Sequence, residues 1–173
     1  MDYFIPDIYQ KSIYTINYEK LKDTGIKCIL IDLDNTLVPV QVKEPTKKVI
    51  ELVDHLKDLG FKVIIISNNN KKRLTPFKEL LEVDCSCNSL KPLKIKYKKI
   101  LKEYKFNESE VACIGDQLVT DVFGGNRMGF RTIFVNSISK KDLFSSKFNR
   151  FIERIILNKL KKKGLFEIGK YYE

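Results

Sequence analysis

The chain of 173 residues is long enough for one domain with a substantial core and too short for two ordinary domains. Hydrophobic residues make up 43% and charged residues 31%, as in soluble globular proteins, and no 18-residue apolar stretch predicts a membrane-spanning helix. The net charge of +10 comes from 27 lysines and 5 arginines, and this shortage of guanidinium groups weakens a nucleic-acid-binding interpretation. The amino-terminal MDYFIPDIYQKS lacks the features of a secretion signal, so we expect a cytoplasmic protein.

Apolar runs and helical spacing alternate along the chain. The runs predict five short strands, at residues 26–32, 62–67, 83–87, 111–115 and 131–136. The helical spacing predicts intervening helices at residues 45–59, 74–81, 93–104 and 118–128. This alternation predicts an α/β fold of three layers, a parallel sheet with helices on both faces, in one domain over residues 1–173 with an N-terminal extension at 1–25.

The C-terminal segment, residues 140–173, combines an apolar stripe with ten basic and four acidic residues, a net charge of +6. The stripe at helical spacing comprises Phe144, Phe148, Phe151, Ile152, Ile155, Ile156 and Leu160. We expect a last helix that packs this stripe on the sheet and exposes its lysines. The alternative is a basic amphipathic surface that rests on the anionic inner face of a membrane.

The four cysteines do not follow the spacing of a redox or zinc motif. Cys85 and Cys87 are separated by one residue, whereas Cys28 and Cys113 lie inside apolar runs. We expect four reduced thiols with structural roles.

Polar residues follow the predicted strands at the points where the strands end. The residues concerned are Asp32, Asp34, Asn35 and Thr36 after the first strand, Ser67, Asn68 and Asn69 after the second, and Asp116 and Asp121 after the fourth. Lys91, followed by Pro92, precedes the third long helix. Because ligands of open parallel sheets bind beyond the carboxyl ends of the strands, we expect these side chains to converge on one crevice.

Clustered aspartates without nearby histidine or cysteine favour a hard cation that prefers oxygen ligands, and we expect Mg²⁺. A hydroxyl and free amides after the second strand suit phosphate oxygens, and Lys91 suits the charge that develops during phosphoryl transfer. One carboxylate can act as a nucleophile that forms an acyl phosphate, while Asp34 protonates the leaving oxygen and later activates water.

The ordered set of DLDNT, a strand that ends in Ser67, Lys91-Pro92 and GDxxxxD resembles the haloacid-dehalogenase (HAD) superfamily of phosphatases. The resemblance runs from about residue 3 to residue 137 and is greater to subfamily IIIA, the YqeG-like type. It implies the Rossmann-like fold of that superfamily. It also implies that Asp32 is the nucleophile and a Mg²⁺ ligand, and that Asp34 is the general acid/base whose carbonyl contacts the ion.

The same resemblance assigns the remaining positions. Ser67 corresponds to the phosphate-binding hydroxyl, and Lys91 to the lysine that contacts both the phosphate and Asp32. Asp116 corresponds to the direct metal ligand of the fourth motif, and Asp121 to a residue that assists the metal site. The asparagines expected beside the substrate are Asn35, Asn68 and Asn69.

The aspartate at position 34 narrows the range of reactions that the resemblance allows. Within this superfamily, an aspartate there accompanies rapid hydrolysis of the phosphoenzyme, which implies a phosphatase. Only eight residues separate Thr36 from Pro45, and the stretch from Asp84 to Lys91 is equally short, so we expect no cap domain and an open site. An open site favours a large or lipid-anchored substrate that itself excludes water.

YqeG-like proteins are similar to phosphatidylglycerophosphate phosphatases, and this similarity implies phosphatidylglycerophosphate as the substrate. Two alternatives stay open. The chain could be an interaction protein that binds nucleic acid, a ribosomal component or a GTPase with weak phosphatase activity, or it could be a polynucleotide-end phosphatase.

Overall fold

The computed structural model describes residues 1–139 and 146–173, with side chains described for all of these except 146–149. Six strands alternate with helices along the chain. The strands are β1 (Ile8–Gln10), β2 (Cys28–Ile31), β3 (Lys62–Ile66), β4 (Asp84–Ser86), β5 (Val111–Gly115) and β6 (Arg131–Val135). The α-helices are α1 (Tyr18–Asp23), α2 (Lys47–Asp58), α3 (Lys71–Leu81), α4 (Lys94–Tyr104), α5 (Phe123–Asn126) and α6 (Ser146–Lys162).

The strands form one parallel sheet in the order β1-β6-β5-β2-β3-β4. Strand β2 lies at the centre, where Ile31 is in register with Ile65 of β3 and Ile114 of β5. The chain passes from β2 to one side of the sheet and returns through β5 on the other side. This reversal places the carboxyl end of β2 at the switch point of the sheet, where α/β proteins bind ligands.

The predicted three-layer α/β fold is confirmed, and all five predicted strands are present, but the count of five is wrong because the sheet has a sixth strand. The extra strand is β1, in which Tyr9 pairs with Phe134 of β6. Part of the predicted N-terminal extension therefore belongs to the sheet. Three residues are too few to display a strand pattern, and β1 is stabilised by distant residues, including a bridge from Tyr9 to Tyr172.

Successive residues of the central strands face opposite layers of helices, as the pleat of a strand requires. In β2, Ile29 and Ile31 pack in the same core cluster as buried residues of α1, α2 and α3. Cys28 and Leu30 pack instead with buried residues of α4. Every residue of β2 is fully buried, which explains why its sequence is a continuous apolar run.

The bounds of α2 follow from its sequence. Thr46 is the N-cap and accepts a hydrogen bond from the amide of Val49, so the helix begins after Pro45 and not at it. Residues 32–46 connect β2 to α2, and residues 87–93 connect β4 to α4. Neither of these fully described connections contains an inserted domain.

The single helix predicted over residues 118–128 is wrong in detail. Residues Leu118–Val122 form one turn of π-helix, and the α-helical geometry is confined to α5. The amides of Asp121 and Val122 both donate to the Gln117 carbonyl oxygen, at 3.0 and 3.3 Å. Such turns are frequent at functional sites, and this one carries a predicted site residue.

Helix α6 packs part of its apolar stripe against the sheet and the π-helical turn. Ile156 and Leu160 are buried in a cluster with Tyr9 and Phe134. Other residues of the stripe point outward, with Phe151 61% and Ile155 43% exposed. Phe144 and the side chain of Phe148 lie outside the described residues. In the part of the chain that the structure describes, no helix is long and apolar enough to cross a bilayer.

Candidate active site

The predicted site residues are brought together at the carboxyl edge of the sheet. Asp32 follows β2, Ser67 follows β3 and Asp116 follows β5, while Lys91 reaches the same place from the connection after β4. Asp32, Ser67, Lys91 and Asp116 are all buried, with residue exposures between 1% and 7%. The convergence expected from the topology is therefore present.

Lys91 connects two of the aspartates. Its ammonium nitrogen lies 2.6 Å from Asp32 Oδ1 and 2.6 Å from Asp121 Oδ1. Burial raises the pKa of Asp32 to about 8, opposed by the ammonium group of Lys91 and reinforced by the carboxylates of Asp121 and Asp116. Burial alone would lower the pKa of Lys91, but Asp121 and Asp32 outweigh it and raise that pKa, so Lys91 is charged.

The backbone of Lys91 is fixed by Asn68, which follows Ser67. The amide of Lys91 donates to Asn68 Oδ1 at 2.7 Å, and Asn68 Nδ2 donates to the Lys91 carbonyl oxygen at 3.1 Å. Asn68 thus joins the connection after β3 to the connection after β4. Its predicted contact with a substrate stays a prediction, since these two hydrogen bonds use both ends of its side-chain amide.

Asp121 is held by the turn that carries it. Its Oδ2 accepts from the amide of Gln117 at 3.2 Å and from the Thr120 hydroxyl at 3.3 Å. The carboxylate lies over Gly115, where an added Cβ would be 2.1 Å from Asp121 Cγ. A glycine at the end of β5 is therefore needed for the carboxylate to reach Lys91.

Three carboxylates form a cluster that fits a metal cation. Oxygen atoms of Asp32, Asp116 and Asp121, all buried, lie within 4.8 Å of one another. Oxygen donors of this kind suit a hard divalent ion, and burial without a cation is unfavourable for grouped carboxylates. The donor set is therefore compatible with a metal centre, with Asp32 and Asp116 projecting from neighbouring strands.

Arg73 of α3 holds Asp34, a contact that the sequence did not predict. The Nε and one terminal nitrogen of Arg73 donate to Asp34 Oδ1, at 3.1 and 2.8 Å. Asn69 Nδ2 donates to the other carboxylate oxygen at 3.1 Å, and Arg73 also donates to the carbonyl of Val42. Both oxygens of Asp34 thus accept hydrogen bonds, and Asp34 is not one of the three carboxylates that cluster. The predicted contact of its carbonyl with the metal stays a prediction.

Arg150 of α6 holds Asp116, a second unpredicted contact. One guanidinium nitrogen donates to the Asp116 carboxylate and another donates to its carbonyl oxygen at 2.9 Å. Burial raises the pKa of Asp116, and the guanidinium group of Arg150 opposes that effect. The second carboxylate oxygen accepts from the Thr36 hydroxyl at 3.2 Å. The residue after β5 is therefore linked to the DLDNT segment and to the C-terminal helix.

Asn35 and Ser67 shape the backbone around the cluster. Asn35 adopts a left-handed conformation with φ of 65°, which asparagine tolerates better than most residues. Its amide donates to Val38 at 2.7 Å, and its carbonyl accepts from the amide of Ile138 at 2.9 Å. Ser67 Oγ accepts from the amide of Asn69 at 3.1 Å. Their predicted roles with phosphate stay predictions.

Fold and site together define an α/β enzyme with clustered carboxylates and a buried lysine at the switch point of a parallel sheet. A family model described as haloacid dehalogenase-like hydrolase matches residues 40–129. Over 162 residues, 94% of each chain, the sequence is 41% identical to the protein named "Probable phosphatase YqeG" of Bacillus subtilis (strain 168). The chain belongs to the haloacid dehalogenase-like hydrolases, which confirms the resemblance drawn from its motifs.

Two further similarities are more distant in sequence. The chain is 26% identical over 180 residues to phosphatidylglycerophosphate phosphatase 1, chloroplastic/mitochondrial, of Arabidopsis thaliana, covering 94% of the chain but 50% of that protein. In fold, it is similar to a cobalt-bound deoxy-D-mannose-octulosonate 8-phosphate phosphatase from Haemophilus influenzae, with a TM-score of 0.54 and 16% identity over 85% of the chain and 95% of that structure.

Proposed function

We propose that the protein hydrolyses phosphate monoesters through a phosphoryl group carried transiently on Asp32. The observation that carries this proposal is the buried Lys91 ammonium, 2.6 Å from Asp32 Oδ1. A lysine there orients one carboxylate oxygen and offsets negative charge as phosphate approaches. Because uncatalysed monoester hydrolysis is extremely slow, the site must lower the barrier by roughly 20 kcal/mol.

The proposed reaction has two steps. A carboxylate oxygen of Asp32 forms a bond to phosphorus as the bond from phosphorus to the ester oxygen breaks, and Asp34 gives a proton to the departing alkoxide. Asp34 then takes a proton from water, whose oxygen bonds to phosphorus while the bond to Asp32 breaks. The result is an alcohol, inorganic phosphate and the original enzyme.

We propose Mg²⁺ as the cofactor, held by Asp32, Asp116 and the carbonyl of Asp34, with Asp121 assisting through Lys91. When bound, the ion would offset the charge of the phosphate and align it with the nucleophile. Chelation of divalent ions should abolish activity and added Mg²⁺ should restore it. Full turnover in the presence of a strong chelator would contradict this cofactor.

The substrate that we propose is a lipid phosphate, in particular phosphatidylglycerophosphate. Exposed apolar residues lie beside the site. Leu90 (58%) precedes Lys91, Leu93 (48%) lies two residues after Lys91, and the amide of Ile138 (46%) donates a hydrogen bond to the Asn35 carbonyl. Such residues favour contact with an acyl-chain surface, and the net charge of +10 favours an anionic one. The similarity to a phosphatidylglycerophosphate phosphatase supports the same substrate.

The substrate is tested by phosphate release from phosphatidylglycerophosphate in mixed micelles, compared with small soluble esters. The proposal predicts a much higher kcat/KM for the lipid, and loss of both activities in Asp32→Asn. Turnover of small esters with none of the lipid would reject the lipid substrate and leave the phosphatase reaction standing. Binding to vesicles that contain anionic lipid tests peripheral membrane contact separately.

The lysine-rich surface favours a second function. The chain could be an interaction protein that binds nucleic acid, a ribosomal component or a GTPase, or it could be a polynucleotide-end phosphatase. Lysines supply a salt-dependent attraction to any polyanion. Strong RNA binding that weakens with salt and survives Asp32→Asn would favour an interaction protein. Release of phosphate from nucleic-acid ends would favour the end phosphatase.

A further inference from the structure

We infer that α6 belongs to the active site, and that Arg150 and Glu153 on its first turns are positioning residues that hold Asp116 for a divalent cation. This inference rests on the metal-dependent reaction proposed above. It assigns a function to a helix that lies beyond the residues matched by the family model, which end at 129.

The contacts fix the segment that follows β5 at two points. Arg150 donates to both the carbonyl and the carboxylate of Asp116. Glu153 Oε1 accepts a hydrogen bond from the amide of Leu118 at 2.5 Å. Since Leu118 begins the π-helical turn, α6 constrains both the residue that offers a metal ligand and the turn that carries Asp121.

Arg150 is itself held in position by Glu153. Its Nη1 also donates to Glu153 Oε2 at 2.9 Å, and Glu153 is only 5% exposed. Isolated buried charges are strongly unfavourable, so a buried glutamate that pairs with an arginine one helical turn away forms a built network. A guanidinium group held in this way acts as a fixed support for Asp116. If the guanidinium group moved away whenever a cation bound, the buried carboxylate of Glu153 would lose this charged partner.

The charges of the connected groups agree with a divalent ion. Four buried carboxylates, those of Asp32, Asp116, Asp121 and Glu153, are linked with two cations, the buried Lys91 and the partly buried Arg150. If all are ionised, this network carries two negative charges, which one divalent cation would balance. Without Arg150 the network would carry three negative charges, and the carboxylate of Asp116 would lose the charged donor that fixes its orientation, with the Thr36 hydroxyl still donating to its other oxygen.

The test measures Mg²⁺ binding without relying on turnover. The full chain and the variants Arg150→Ala, Arg150→Lys and Glu153→Gln are titrated with Mg²⁺ alone, by thermal shift and by calorimetry. Residues that orient metal ligands typically contribute 10–100-fold to affinity. We expect the Mg²⁺ concentration for half-saturation to rise by about 10-fold or more in Arg150→Ala, with smaller increases in the other two. Arg154→Ala, on the exposed side of the same helix, should leave it unchanged.

The outcomes separate positioning from simple packing. A lower unfolding temperature in Arg150→Ala with unaltered Mg²⁺ half-saturation would overturn the inference, as would tighter binding, which would make the guanidinium a competitor of the ion. Should Arg150→Ala fail to fold, Arg150→Lys and Glu153→Gln decide in the same way. If the unaltered chain binds no Mg²⁺, the proposed cofactor fails as well. If it binds Mg²⁺ and every variant matches it, the inference alone fails.

Discussion

The ammonium nitrogen of Lys91 and Asp32 Oδ1 lie 2.6 Å apart, and the exposed fraction of each side chain is 10% or less. The two residues are 59 positions apart in the sequence and meet because their connections leave the same edge of the sheet. The same nitrogen lies 2.6 Å from Asp121 Oδ1, so one lysine compensates two buried carboxylates. This relationship makes Lys91 important for stability as well as for the proposed catalysis.

Replacing Lys91 by Met should destabilise the protein in the absence of metal, because Asp32 and Asp121 would lose their buried cation. Removing one partner of a buried ion pair typically costs about 3–5 kcal/mol, which urea unfolding can measure. Lys27→Met, which breaks an exposed pair of the same 2.6 Å length with Glu110, is the control and should change stability little. Equal stabilities of the two variants would show that the buried pair does not contribute as argued.

Replacing Arg73 by Ala should slow the reaction, because Asp34 would lose the two hydrogen bonds that fix its Oδ1. General acid–base catalysis commonly contributes 10²–10⁴-fold, so a misplaced Asp34 should lower kcat by about 10- to 100-fold, with a smaller effect on KM. Steady-state kinetics of Arg73→Ala, Arg73→Lys and the exposed neighbour Lys72→Ala check this expectation. A change confined to KM would instead place Arg73 in substrate binding.

Replacing Gly115 by Ala should displace Asp121, since the new Cβ would lie 2.1 Å from its Cγ. Overpacking of a buried site typically costs about 1–3 kcal/mol, and here the displaced carboxylate also contacts Lys91. We expect a lower unfolding temperature together with a large loss of phosphatase activity. Full activity in the alanine variant would mean that the position of Asp121 is unimportant.

Three of the four cysteines, Cys28, Cys85 and Cys113, should be unreactive at ordinary pH. Burial raises the pKa of Cys28, Cys85 and Cys113 to about 12, so these thiols stay protonated near pH 8, and the thiolate is the reactive form. A thiol reagent at pH 8 should modify none of the three rapidly in the folded chain, and all of them in denaturant. Mass spectrometry of labelled peptides identifies the sites. Rapid labelling of Cys28 or Cys113 in the folded chain would contradict their burial.

The central sheet and the site residues of DLDNT could be predicted from the sequence because each depends on local patterns. A strand buried on both faces must be apolar throughout, and Asp32 and Asp34 stand out at its end. Strand β1 could not be predicted from the sequence, because its three residues are held by pairing with β6 and by the bridge to Tyr172. The π-helical turn after β5 was also missed, because its apolar spacing resembles that of an α-helix.

The two arginines of the site were missed for a different reason. Arg73 follows two lysines on the first turn of α3 and is indistinguishable in pattern from a solvated charge. Arg150 lies 34 positions from Asp116, and its acidic neighbour in the sequence, Glu153, indicates only a local pair on the same helix. The sequence holds one indication of their importance. A chain with 27 lysines and only 5 arginines uses guanidinium groups sparingly, so each arginine is a candidate for a specific role.

The central claim is that Asp32 carries the phosphoryl group, and borohydride trapping tests it most directly. Borohydride reduces an aspartyl phosphate to homoserine, which peptide mass spectrometry can locate after quenching during turnover with Mg²⁺. The account predicts homoserine at position 32 when substrate is present. It predicts none when substrate is omitted, in the unaltered chain and in Asp34→Asn alike. Homoserine at another aspartate, or undiminished phosphatase activity in Asp32→Asn, would contradict it.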